Sequence, residues 1–189
     1  LHISASDIIS REEENVCDVL VRPFNDSENY KRIWYTVYHH GLFASQEYID
    51  KMGMPTSPED LTSHRMIGYG EHTYSYFEDI NWHLRGQGYG LPKLKPVLTI
   101  NSTKAIFEAA KTGLGICSAA IESNPYYNSN LIRILPDIKG PIIKTFFCIK
   151  KNATGRKLKC ISTFNTYYVE YLKTLGVNII PLESIEQEV

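Results

Sequence analysis

Apolar residues recur with a period of two in several short runs and near 3.6 in longer ones, the signatures of half-buried strands and amphipathic helices. Leu1 to Ala5 and Cys17 to Val21 read as strands, and Ser6-Asp7 caps a short helical stretch over Ile8 to Asn15. Arg22-Pro23 stops the second strand, because a proline cannot donate to a central ladder. Ile33 to Ser45 is a long aromatic and β-branched strand with Gly41 in its interior, a pattern of strands that bend or pass between sheets. Two helical pieces follow, Gln46 to Gly53 and Ser57 to Ser63, the second opening on Ser-Pro-Glu-Asp with a capping serine and proline at the first helical position. Arg65 to Tyr69, Asn81 to Arg85, Val97 to Asn101 and Leu131 to Leu135 read as strands. Glu71 to Ile80 and the Tyr-rich Asn124 to Asn130 read as loops or short helices.

Pro141 to Lys151 is a second long strand, the natural mate of Ile33 to Ser45. Lys157 to Leu175 is the longest helical run, with Leu158, Ile161, Phe164, Tyr168 and Leu172 on one broad face and Gly176 to end it. Val177 to Val189 is an acidic tail with one apolar burst, Ile179 to Leu182.

Within this pattern Val97 to Ile121 stands out. A β-branched strand, Asn101-Ser102-Thr103, an Ala-rich amphipathic run, Gly113-Leu114-Gly115 and a short apolar strand make a compact β-α-β unit. Its helix starts beyond the carboxyl end of its strand, where unsatisfied backbone N–H groups form a natural anion or acceptor site. Two long strands passing out of one region and back into it imply an α/β protein of two lobes hinged by two strands. The expected division is 1–40 plus 147–189 against 41–146. Proteins of this kind bind small ligands in the cleft, where helix starts converge.

Composition narrows the function classes. The 189 residues are 43% apolar and 22% charged with a net charge of −1, so the chain reads as a globular protein without a basic face for nucleic acid. No apolar run reaches the ~18 residues of a membrane span. The four cysteines, Cys17, Cys117, Cys148 and Cys160, lack CxxC spacing and sit in apolar runs, where free thiols behave as small buried hydrophobes. That usage suits a reducing cytoplasm. His39-His40 cannot readily share a metal ion, because neighbours in a strand point to opposite faces. No nucleophile elbow or paired-carboxylate constellation is present, so neither catalysis nor a metal or cofactor is expected.

Several segments resemble LysR-type transcriptional regulators. Phe43-Ala44-Ser45-Gln46-Glu47-Tyr48 with Pro55-Thr56-Ser57-Pro58-Glu59-Asp60-Leu61 is similar to their "VASPEYL…PRTPEDL", and Asn81-Trp82-His83-Leu84-Arg85-Gly86 to "W-x-L-R-G". Asn101-Ser102 through Gly113-Leu114-Gly115-Ile116 resembles "VN-x-x-EAL-x-AA-x-x-GLGI". Asp18 to Arg22 resembles "DVAIR", and Leu131 to Pro136 resembles "LVRVLP". The five motifs occur in the family's order over Ala5 to Leu172.

The resemblance implies an effector-binding domain with the two-lobed type 2 periplasmic-binding-protein fold, cytoplasmic and oligomeric, as a homodimer or tetramer. It also implies a DNA-binding winged helix-turn-helix outside these residues, and a first lobe whose first strand–helix unit is missing. The expected effector, an organic acid among the candidates, is held at Asn101, Ser102 and Thr103. Ser6, at the matching helix start of the other lobe, Tyr69 and His72 after a second-lobe strand, and Ser45 at the hinge join the expected site. Ser6 and Ser45 have local capping as their competing role. Dimer contacts are expected at Ile106, Phe107 and Ala110, or around Ile8 and Ile9. The alternatives are a periplasmic solute-binding protein of the same fold and, behind it, an enzyme.

Overall fold

The computed structural model describes residues 16–23, 28–70, 79–123 and 130–182. The strand read over Leu1 to Ala5, the stretch Ile8 to Asn15, most of the loop Glu71 to Ile80, the Tyr-rich turn and the acidic end of the tail lie outside the described residues. Ser6, His72, Ile8 and Ile9 go with them.

The elements in order are β1 (Val19–Pro23), β2 (Tyr30–Ser45), α1 (Gln46–Met52), a 3-10 helix (Glu59–Ser63), β3 (Met66–Gly68), α2 (Trp82–Arg85), β4 (Pro96–Thr99) and α3 (Thr103–Lys111). They continue with β5 (Cys117–Ala120), a 3-10 turn (Ile121–Ser123), β6 (Leu131–Ile134), β7 (Ile142–Lys150), α4 (Gly155–Thr174) and β8 (Ile179–Pro181). The chain divides into two compact units, Leu1–Tyr38 with Ile143–Val189, and His39–Ile142.

In the first unit β1 runs antiparallel to β7, from Val19 opposite Ile149 to Pro23 opposite Thr145. The strand therefore continues through Arg22-Pro23, where the sequence pattern ends it. Proline is tolerated because β1 lies at the end of its sheet and pairs with β7 alone among the described residues. The apolar burst of the tail is a strand, β8, antiparallel to β2 with Trp34 opposite Pro181 and Thr36 opposite Ile179. Trp34 stacks on Phe147 at 4.9 Å between ring centroids, and Phe164 and Tyr168 of α4 stack on each other at 5.6 Å. Leu172 anchors α4 in this core, and Ile161 is the helix's other buried residue. Leu158 is 43% exposed and does not belong to the buried face. The whole stretch Thr154 to Cys160 is exposed, so packing begins only at Ile161. Cys160 is exposed for the same reason, whereas Cys17, Cys117 and Cys148 are buried free thiols.

In the second unit the last part of β2 pairs antiparallel with β5 (His40 opposite Ala120, Phe43 opposite Cys117) and with β6 (Leu42 opposite Ile134, Ser45 opposite Leu131). β3 and β4 are parallel, and Met66 also bridges Ile116 in parallel sense. β3 thus lies between β4 and the chain entering β5, and α3 makes the crossover between those outer two. This is the β-α-β unit of Val97 to Ile121 with one strand inserted in its middle.

The segment Asn81 to Arg85 is not a strand. Trp82, His83 and Leu84 are consecutive and all buried, which a strand facing one core cannot achieve. One helical turn buries all three, and Gly86 closes it in the left-handed region at φ +70°. The Ser-Pro-Glu-Asp start yields a 3-10 helix from Glu59, with Pro58 at the capping position. Ile106, Phe107 and Ala110 are core, packed with Phe43, Ile67 and Cys117. Their burial removes them as a surface for a second subunit.

Candidate functional site

The parallel arrangement of β3 and β4 puts both carboxyl ends at one edge of the second unit, and α3 begins there. The Ile100 N–H donates to Gly68 O at 3.0 Å, tying the end of β3 to the chain that leads into the helix. In open α/β sheets this edge is where ligands bind, because strand ends leave a crevice and helix starts present free N–H groups.

Ser102 occupies the N-cap of α3 with extended backbone, yet its hydroxyl makes no capping hydrogen bond. The first turn contains no acidic residue, and Lys104 stands exposed within it without an ion-pair partner among the described residues. A lysine here opposes the helix dipole locally, but it adds to the positive potential that an incoming anion meets. The Tyr69 hydroxyl and Thr103 Oγ1 are hydrogen-bonded, joining β3's end to the first helical residue. Asn101 is exposed and precedes the cap. Four expected residues, Tyr69, Asn101, Ser102 and Thr103, therefore meet at one place.

Tyr69 is held by a residue that sequence reasoning did not single out for the site. Its N–H donates to Asn81 Oδ1 and its carbonyl accepts from Asn81 Nδ2, both at 2.9 Å. Asn81 opens the Trp82–Arg85 turn, so the signal was the position of an amide side chain just before the W-x-L-R-G motif. Gly68 has no room for a side chain: a Cβ there would lie 2.5 Å from Leu84 Cδ1 and 3.0 Å from Asn81 Oδ1. Behind β3, His83 is 1% exposed, and its Nε2 is 2.9 Å from Ile67 O. Burial lowers its pKa to about 4, so the ring is neutral with Nε2–H donating to the carbonyl, and Nδ1 is left without a partner.

Ser45 sits elsewhere in the unit. It is 4% exposed at the end of β2, and its hydroxyl accepts from the Tyr48 N–H at 3.2 Å as the N-cap of α1. That is the capping role named as its competitor. The two hinge histidines have separate partners. His39 Nδ1 meets Glu122 Oε1 at 2.5 Å, and His40 Nδ1 lies 3.4 Å from Ser118 Oγ. Among the described residues no three His, Cys, Asp or Glu side chains are grouped to hold a metal ion.

The family model for the LysR substrate binding domain matches residues 3–159. The regulatory domain of CrgA, a LysR-type transcriptional regulator from Neisseria meningitidis, has a similar fold. Its TM-score is 0.65 at 22% identity, over 80% of this chain and 74% of that one. Full-length CrgA matches with TM-score 0.63 at 20% identity, over 84% of this chain but 53% of its own length. The effector domain of the transcriptional regulator AmpR of Pseudomonas aeruginosa matches with TM-score 0.60 at 16% identity, over 87% of this chain and 76% of that one. No curated protein matches the sequence. The fold shared with these regulatory domains is the two-lobed, periplasmic-binding-protein-like one, and the chain belongs to the LysR substrate-binding domain family.

Proposed function

We propose that this chain senses an organic acid for a bacterial LysR-type transcriptional regulator, and that the acid's carboxylate is held at the start of α3. The observation that carries the reading is an N-cap serine whose hydroxyl caps nothing, at a helix start free of acidic residues. An anion placed there gains up to ~2 kcal/mol from the helix dipole when the site is partly buried. It also accepts from the Ser102 hydroxyl, while Tyr69 and Thr103 hold the rim and Lys104 draws the anion in. Ser45 keeps its own role as the cap of α1.

Sensing then works through populations. An acid that binds one arrangement of the regulator more tightly than another shifts the balance between them, and only that difference in affinity does work. The regulator acts as a homodimer or tetramer in the cytoplasm, and a separate winged helix-turn-helix makes the DNA contact. A net charge of −1 suits a domain that leaves DNA to another part of the polypeptide. Among the described residues no helix is long and apolar enough to cross a membrane. The chain carries no chemistry of its own in this reading, and its output is a change in transcription.

The test is Ser102→Ala, read on both stability and binding. Capping serines cost ~1 kcal/mol when removed, but this hydroxyl makes no cap bond, so unfolding free energy changes by less than ~0.5 kcal/mol. Affinity for the carboxylate that stabilises the wild type best, chosen from aliphatic and aromatic acids by thermal shift, falls about tenfold, as for one charge-assisted hydrogen bond. A variant that loses stability and binds that acid as tightly as before assigns Ser102 to capping and ends the proposal.

A further inference from the structure

The second unit contains a cavity of about 430 Å³ that shares no residue with the start of α3. It lies between the segment after α1 and the turn that follows β6. Its volume falls in the range of small-molecule pockets, ~300–1,000 Å³. Met54, Pro55, Leu135 and Ile138 supply an apolar surface, and Arg133 and Asp137 supply one charge of each sign.

Three features of this wall call for an explanation beyond folding. Among the described residues Arg133 has no carboxylate within ion-pair distance, and its one hydrogen bond runs from Nη2 to Pro136 O at 2.9 Å. Its Nε is buried without a partner. A buried donor left unmade costs ~1–3 kcal/mol. The side chain lies across β2, where a Cβ on Gly41 would come within 3.3 Å of Nε. The missing side chain at Gly41 and the bond to Pro136 together fix where the guanidinium sits.

Asp137 is the second feature. It is exposed, four residues from Arg133, and makes neither an ion pair nor a hydrogen bond among the described residues. Two opposite charges on one cavity wall that do not neutralise each other leave both available. The third is Leu135, the one non-glycine residue with positive φ among the described residues, at +44°. A branched side chain in the left-handed region costs ~1–2 kcal/mol, and such strain gathers at ligand sites. The Ile138 N–H bond to Leu135 O, at 2.9 Å, closes this strained turn.

The geometry points to a second ligand site on this unit, one that takes a free α-amino acid with an apolar side chain. The carboxylate pairs with Arg133, the ammonium with Asp137, and the side chain covers Met54, Leu135 and Ile138. A simple carboxylic acid meets Asp137 as a like charge, and a simple amine meets Arg133 in the same way. Only a zwitterion satisfies both groups at once.

Calorimetric titration of the 189-residue chain with L-leucine tests this, with 4-methylpentanoate and isoamylamine as its single-charge counterparts. Leucine binds saturably, isoamylamine binds about tenfold more weakly or worse, and 4-methylpentanoate, which the start of α3 also takes, loses no affinity in Asp137→Asn. Asp137→Asn, at an exposed residue without a partner among the described residues, keeps the fold and weakens leucine about tenfold. Arg133→Gln weakens it at least as much where that variant folds. The Ser102→Ala variant binds leucine like the wild type, which separates this site from the start of α3. Absence of saturable binding, equal binding of isoamylamine, or an Asp137→Asn variant that binds leucine unchanged each overturns the assignment.

Discussion

Replacing Gly115 by alanine destabilises the second unit by about 3 kcal/mol, at the upper end of the range for overpacking a rigid interior. A Cβ at this position would lie 2.4 Å from Arg65 O and 3.1 Å from Arg65 C. Both are backbone atoms, and the carbonyl already accepts from the Ile116 N–H at 2.8 Å. The clash is therefore relieved only by separating β3 from the chain that enters β5, which also loosens α3, the crossover from β4 to β5. Gly53 is the matched control. It sits at φ +83° and ψ 161°, a region open essentially to glycine, with nothing within 4 Å of a built Cβ, so Gly53→Ala carries backbone strain alone, ~1–3 kcal/mol. Urea unfolding of the two variants checks the difference. A Gly115→Ala loss below ~1 kcal/mol would mean that the close approach at Arg65 is absent.

Acidification from neutral pH lowers stability well before the carboxylates titrate. His83 is fully buried, and burial brings its pKa from 6.5 to about 4 in the folded state. The unfolded chain then takes up a proton near pH 6.5 that the folded chain refuses until about pH 4, so the unfolded state gains as pH falls through that window. The contribution is fully present above pH 6.5 and is lost by pH 4, on the order of 3 kcal/mol for His83. His40 acts in the same direction, with its pKa brought to about 4 by burial against the opposing pull of Glu122. Asp60 follows later. Its carboxylate accepts from the N–H groups of Thr56 and Ser57, which lowers its pKa to about 2, so its share is lost only between 3.8 and 2. Unfolding free energy measured from pH 7 to pH 4 shows this early slope, and His83→Gln reduces it. A flat profile down to pH 4.5 would contradict the buried neutral ring.

What was legible beforehand follows from how far each feature reaches along the chain. The β-α-β unit is local: strand, helix start and Gly113-Leu114-Gly115 turn lie within one short span, and each carries its own pattern. Tyr69 meeting Thr103 was accessible as a family expectation but not from spacing, because β3 inserts between the two outer strands only in the folded sheet. Asn81 was passed over for the same reason. Its amide acts on Tyr69, twelve residues earlier, through a turn that Trp82, His83 and Leu84 form by being buried together. The motif was visible and its conformation was not. β8 is the extreme case, since its partner in β2 lies far back in the sequence and an apolar burst beside a proline carries no pairing signal. Ile106, Phe107 and Ala110 show the opposite error. An apolar helix face reads alike whether it covers the molecule's own core or a partner, and here it covers Phe43 and Ile67.

The claim that organises these observations is that the start of α3 receives an effector's carboxylate. Backbone amide shifts of Thr103, Lys104 and Ala105, followed while the chain is titrated with aliphatic and aromatic carboxylates, test it most directly. The first N–H groups of a helix are the ones left without an intrahelical acceptor, so they report an anion placed on them. With the acid that stabilises the chain best, these three amides move together and saturate with the same affinity as the thermal shift. Saturable stabilisation that leaves all three amides unmoved would place the effector elsewhere and contradict the account.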